Sequence, residues 1–161
     1  MSVTTLLATK HETAILLELW QLYLKDLSEF RDLTPQPDGR YRDDRVRTYL
    51  SYEDHWAYLI RKEDEIAGFS LVRKSKPETL AIGEFFILPK FRRSGVGRSA
   101  VVKLLTEFKG DWEISFQNEN AAGAIFWRHI ISDLGYVAEE VSTAVIGRPD
   151  LPHDVWLSFT S

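Results

Sequence analysis

Between Phe85 and Ala100 the chain reads FFILPKFRRSGVGRSA, an apolar run that meets a helical pattern through two glycines. Gly95 and Gly97 permit backbone angles that a side chain forbids, and they let a ligand approach the main chain closely. The helix that follows leaves its first amides without partners inside the helix and puts the positive end of its dipole there. Arg92, Arg93 and Arg98 surround that end, and a pyrophosphate suits such a turn better than a carboxylate does. A plain tight turn with solvated arginines is the other reading, and a glycine pair alone does not decide between them. Residues 95–100 also fit the G-x-G-x-x-A form of the dinucleotide fingerprint. That pattern wants its first glycine directly after the first strand of the fold, whereas Pro89, Lys90, Phe91 and two arginines intervene here.

The 161 residues fit one domain spanning 1–161, without internal repeats. Apolar residues at 44% and charged residues at 27% exclude a disordered chain. A net charge of −4 gives no electrostatic footprint for nucleic acid. The absence of cysteine excludes a disulfide framework, a thiol nucleophile and a thiolate metal site, and no metal is expected. The N-terminus lacks the basic start and long apolar run of a signal peptide, and no stretch reaches membrane-spanning length. The expected setting is cytoplasmic, with no membrane partner.

Periodicity places a strand over 2–8 and a helix over about 11–30, with Ile15, Leu19, Leu22, Tyr23 and Leu27 at helical spacing and Trp20 and Leu24 broadening the apolar stripe. Residues 31–44, with two prolines and a glycine, form a loop before a short helix near 45–52. Strands follow at 55–62 and 65–73 around a Glu63-Asp64 turn, then a third, TLAIGEFFIL, up to Pro89. Residues 96–108 carry a helical stripe of Val101, Leu104, Leu105 and Phe108. WEISFQ reads as a strand, NENAAGAIFWRHIISDL as a helix, and GYVAEEVSTAVIG and DVWLSFT as closing strands. The order β-α-α-β-β-β-α-β-α-β-β implies an α/β fold. Three strands before the central helix point to a mixed, mostly antiparallel sheet of six or seven strands with about four helices.

The sequence resembles the GNAT superfamily of N-acetyltransferases, whose signature Q/R-x-x-G-x-G/A is matched by Arg92, Gly95 and Gly97, preceded by Ile87, Pro89 and Phe91. A second match runs from Asn120 to Trp127, and Phe126-Trp127 resembles an uncharacterised bacterial branch of that superfamily. The resemblance implies acetyl-CoA as cosubstrate. Its pyrophosphate would lie on the amides of Arg93, Ser94, Gly95, Val96, Gly97 and Arg98, and its pantetheine arm on the main chain near Phe86, Ile87 and Leu88. Asn120 and Trp127 would line the other wall, although Asn120 also suits a helix N-cap.

Acetyl transfer to an amine needs a deprotonated nucleophile, a polarised thioester carbonyl and an acid for the thiolate. Backbone amides near Ile87 and Leu88 suit the carbonyl oxygen. Many family members carry tyrosine at the position of Trp127 and glutamate at that of Ser115, so the usual acid and base are both replaced. The substitute base is Glu84, a carboxylate inside an apolar strand, where burial raises its pKa. Its alternative is an exposed strand position paired to a lysine or arginine. His129 and Tyr136 read as a surface histidine and a core aromatic. Trp127 and Gly135 are four residues further apart than the family spacing gives, about one helical turn, so the helix is a turn longer or bulged.

The resemblance implies that residues 23–52, the first helix pair and the loop between, receive the acceptor. Tyr23, Asp26, Glu29, Asp32, Tyr41, Asp43 and Asp44 suit a cationic acceptor, whereas arginines at 40, 42, 45 and 47 suit an anionic or amino-acid-like one. A solvated charged loop is equally compatible. Three functions stand at this point. The first is an enzyme acetylating a primary amine of a small molecule or protein. The others are a non-catalytic CoA-binding sensor or interaction module, and a scaffold that binds only partners. The apolar VWLSF near the C-terminus fits a monomer or a homodimer.

Overall fold

The computed structural model describes residues 2–161. Seven strands form one sheet in the order β1-β2-β3-β4-β5-β7-β6, and four helices accompany it. The pairs β1–β2, β2–β3, β5–β7 and β7–β6 are antiparallel, and β4–β5 is parallel. Element order and mixed sheet both match the expectation.

The chain divides into two compact units. The first holds the residues up to Arg73 together with Gly83–Phe108. It contains β1 (Val3–Leu7), α1 (Thr13–Leu27), α2 (Asp44–Ser51), β2 (His55–Lys62), most of β3 (Glu65–Lys76), the end of β4 (Thr79–Ile87) and α3 (Val96–Glu107). On one face of its strands, Leu16, Leu19, Trp20 and Leu24 of α1 pack with Val46 and Tyr49 of α2 against Ala57, Leu59, Phe69, Leu71 and Phe86. A second cluster joins Ile60, Ala67 and Ile87 to Phe91, Val96 and Ala100, which anchors the start of α3. The two clusters use alternate strand residues, as a period of two dictates, with a bulge between Ile60 and Arg61 resetting the register.

The packing uses one side of the broad stripe of α1. Leu19, Trp20 and Leu24 lie inside together with Leu16, while Leu22 is 46% exposed and Tyr23 half-buried. This helix is apolar over a broad arc, so periodicity allowed either stripe. The buried choice puts the Trp20 indole within reach of the Arg42 carbonyl, to which its Nε1–H donates at 2.9 Å. The helix is also shorter than 11–30, ending at Leu27 after a 3-10 turn at Lys10–Glu12.

The second unit holds Lys74–Ile82 and Lys109–Ser161. Strands β5 (Asp111–Gln117) and β7 (Asp154–Thr160) pair along their whole length, and α4 (Ala121–Asp133) packs on β5. Its buried apolar residues are Ala81 and Ile82 of β4, Trp112, Ile114 and Phe116 of β5, Ala124, Trp127, Ile130 and Ile131 of α4, and Val155, Leu157 and Phe159 of β7. Helix α4 runs unbroken to Asp133, which favours the longer helix over the bulge. The strand expected over 135–147 shrinks to β6 (Glu139–Thr143), an edge strand exposed throughout. Val137 and Ile146 are almost fully exposed, so neither flank has a core to extend the strand against.

Candidate active site and cofactor turn

After Leu88 the chain makes one 3-10 turn, Pro89–Phe91, with Phe91 buried beneath it. The Ser94 hydroxyl donates to the Phe91 carbonyl at 2.6 Å, closing the loop. Gly95 then caps α3 in the left-handed region (φ 84°), and Arg93 shares that region (φ 59°). The first amide bonded back into the helix is that of Ser99, to the Gly95 carbonyl at 3.0 Å. The first-turn amides of α3 therefore point out of the helix, at the end where an anion is favoured. Arg93 and Arg98 are exposed around it.

Arg92 is bound within the protein. Its Nε–H donates to the Ile87 carbonyl at 2.8 Å, its guanidinium lies 5.6 Å from the centroid of the Phe86 ring, and it is ion-paired with Asp26 of α1. It ties strand end, turn and helix together, and like Arg93 and Arg98 it is exposed. The Leu88 amide donates to the Ala67 carbonyl at 2.8 Å, so it is already bonded and does not await an oxyanion.

Glu84 lies on β4 three residues before Ile87 and is 5% exposed. Both of its oxygens have partners: the Tyr23 hydroxyl donates to Oε2, and Arg45 donates to Oε1. It is thus buried and arginine-paired at once, combining the two readings its sequence position allowed. Burial pushes the Glu84 carboxyl above the ordinary carboxylate range, against the pull of Arg45 and the Tyr23 hydrogen bond. Burial, reinforced by the neighbouring Glu84 charge, pushes the Tyr23 hydroxyl well above the usual phenol value. The Tyr23 ring is held edge-on to Phe69 (centroids 5.4 Å apart) and tilted against Phe86 (5.7 Å).

Tyr49 and Arg73 extend the cluster. Tyr49 follows Arg45 by one turn of α2, so both reach the same side. A Cβ on Gly83 would collide with the Tyr49 hydroxyl and lie 3.7 Å from Arg73 Nε, so the missing side chain at 83 is what lets Tyr49 sit there. Burial and the Glu84 charge raise the Tyr49 pKa, while Arg73 and Arg45 oppose them.

In the second unit, the Asn120 side chain accepts from the Gly123 amide at 3.1 Å, the N-cap bond its position suggested. Trp127 is 6% exposed, with its ring centroid 4.9 Å from that of Phe126. Ser115 is half-buried on β5. His129 is 71% exposed and pairs with Asp133 at 3.4 Å, and Tyr136 stacks on Phe159 at 5.5 Å, as surface and core residues do. No group of three potential metal ligands occurs among the described residues.

Tyr23 and Arg45 were visible in the sequence only as members of a charged and aromatic stretch. Nothing linked them to a strand 61 and 39 residues away. Tyr49 and Arg73 went unnoticed, although the i, i+4 spacing of Arg45 and Tyr49 was a usable signal.

Solved structures share this fold at low identity. An acetyltransferase from Thermus thermophilus superposes with a TM-score of 0.70 at 16% identity, over 100% of this chain and 98% of that one. The putative acetyltransferase yncA from Salmonella typhimurium, solved with its cofactor acetyl-CoA, gives 0.67 at 13% identity, over 99% and 94%. The ribosomal-protein-S18-alanine N-acetyltransferase from Escherichia coli gives 0.63 at 12%, over 99% and 94%. No curated protein matches the sequence. The family model for the acetyltransferase (GNAT) family matches residues 16–129, well over half of the chain, which therefore belongs to the GNAT acetyltransferases.

Proposed function

We propose that the chain works as a single domain that moves the acetyl group of acetyl-CoA to a primary amine of a small molecule or a protein. The observation that carries this reading is the turn at Arg93–Gly95, where two left-handed residues lead into the amide-rich start of α3. Phosphate oxygens fit such an end, and the exposed Arg93 and Arg98 add charge-assisted bonds. The amides from Arg93 to Arg98, Gly97 among them, hold the pyrophosphate in this reading. The main chain at Phe86, Ile87 and Leu88 meets the pantetheine arm. Arg92 acts by holding the turn in place.

Acetyl-CoA supplies an acyl thioester, whose C–S bond breaks as the new C–N bond forms. Glu84 takes the proton of the acceptor amine. Its raised pKa suits a base better than an ordinary carboxylate would, because a base works best with a pKa near the working pH. Arg45 is the partner that gives way. Its side chain is 68% exposed, whereas Tyr23 is packed among aromatic rings and keeps Oε2 oriented. The leaving sulfur takes its proton from water, since the Trp127 indole is too weak an acid. Positioning supplies much of the rate.

Titration calorimetry with acetyl-CoA and with CoA tests the turn, using Gly95→Glu as control. Micromolar binding by the wild type, lost in the variant, is expected. Thiol release with an amine panel then tests transfer. Binding without any turnover would favour the sensor or interaction module, the reading that Trp127 and Ser115 motivate. No binding at all would end both.

A further inference from the structure

The arginines of the acceptor region are almost all matched by carboxylates. Arg40 pairs with Glu18 at 3.5 Å, Arg42 with Asp44 at 3.1 Å, Arg47 with Asp43 at 3.0 Å, and Arg45 with Glu84. Arg73 is different. Among the described residues it has no carboxylate within ion-pair distance, and it feels Glu84 only through space. It is half-buried at the end of β3, beside the Tyr49 hydroxyl, with His55 directly opposite it on β2. The His55 ring stands edge-on to Tyr49 with centroids 5.1 Å apart. The guanidinium groups of Arg45 and Arg73 thus both act on the one Glu84 carboxylate, which leaves one positive charge in excess. A half-buried cation without a counter-charge is a place where one negative group binds with gain.

We propose that Arg73, with the Tyr49 hydroxyl beside it, receives a carboxylate of the acceptor, so that the acceptor is an amino-acid-like molecule bearing both an amine and a carboxylate. This rests on the acetyl-transfer reading, in which the amine goes to Glu84. Placement supports it. The Tyr49 hydroxyl and Arg73 Nε lie beside Gly83, and the Arg73 charge acts on Glu84 while the Glu84 charge acts on Tyr49. Glu84 takes the amine proton, the nitrogen forms the C–N bond as the C–S bond breaks, and the carboxylate on Arg73 is left unchanged. A lone carboxylate matches the single excess charge, whereas a dianionic phosphate does not.

Two measurements test this separately from the transfer reaction. The first is calorimetry with N-acetyl amino acids and their methyl esters, which carry no free amine and probe only the carboxylate end. The acids should bind at least about tenfold more tightly than the esters, as expected for loss of a charge-assisted bond. Arg73→Gln should erase that preference and Arg73→Lys should restore part of it. Equal binding of acid and ester would overturn the proposal, and so would an unchanged preference in Arg73→Gln. The second is thiol release with free amino acids, their methyl esters and the matching amines without a carboxyl. The free acids should have the higher kcat/KM, through KM. If nothing in that series turns over but the acid preference in binding persists, the transfer reading fails while the carboxylate subsite stands. A variant that binds neither acid nor ester is checked by its melting curve, and Arg73→Lys then decides.

Discussion

Arg45, with 68% of its side chain exposed, closes over Glu84, of which only 5% is exposed. A surface side chain therefore covers a buried carboxylate, and the pair separates without unpacking the core.

Replacing Glu84 by Gln should lower kcat by about 10²- to 10⁴-fold, the range for removing a general base. Acetyl-CoA binding should stay as it is, because the turn lies elsewhere on the chain. Stability gives an independent check. The folded carboxyl has a raised pKa, so its stabilising effect is complete below about 4.5 and is lost as pH rises through the folded value. Glu84→Gln should therefore gain on the wild type between acid and neutral pH in denaturant melts. The opposite trend would show a lowered pKa.

Arg45 and the Tyr23 hydroxyl both favour the charged carboxylate. Arg45→Gln and Tyr23→Phe should each raise the Glu84 pKa further and move the acid limb of the kcat/KM profile to higher pH. A limb that stays put or moves down in both variants would mean that another group takes the proton.

Gly83→Ala should cost about 1–3 kcal/mol, the usual range for overpacking. Its Cβ would run into the Tyr49 hydroxyl. The clash is with one oxygen atom, so the double variant Gly83→Ala, Tyr49→Phe should recover part of the loss. If it recovers none, the contact is not the cause.

Asn120→Ala should lower stability by roughly 1 kcal/mol through the lost N-cap, and Asn120→Asp should restore it. Acetyl-CoA affinity in the Asp variant then separates capping from cofactor contact. Full affinity there would mean that Asn120 only caps.

The strands and helices were legible because their signals are local. The Glu63-Asp64 turn fixed β2 and β3, and the glycine pair fixed the start of α3. Where an element was apolar over a broad arc, as in α1, periodicity offered Leu22 and Trp20 alike, and the packing chose Trp20. The glycine turn could be read because its residues are contiguous. The Glu84 cluster could not, since Tyr23, Arg45, Tyr49 and Arg73 come from three further elements and meet only once the chain is packed. Glu84 itself stood out, as a carboxylate in an apolar strand needs a partner, but nothing along the chain named that partner.

Asp26 lies three residues after Tyr23 on α1, on nearly the same face, and Arg92 of the glycine turn is bound to it. Helix α1 is thereby leashed to the turn a few residues from the hydroxyl that orients Glu84. In the proposed reaction, this outwardly ordinary surface aspartate would be a shared fastening for both ends. Losing it should loosen phosphate grip and proton transfer together, so that two steps which look separable in sequence would fail as one inherited trait.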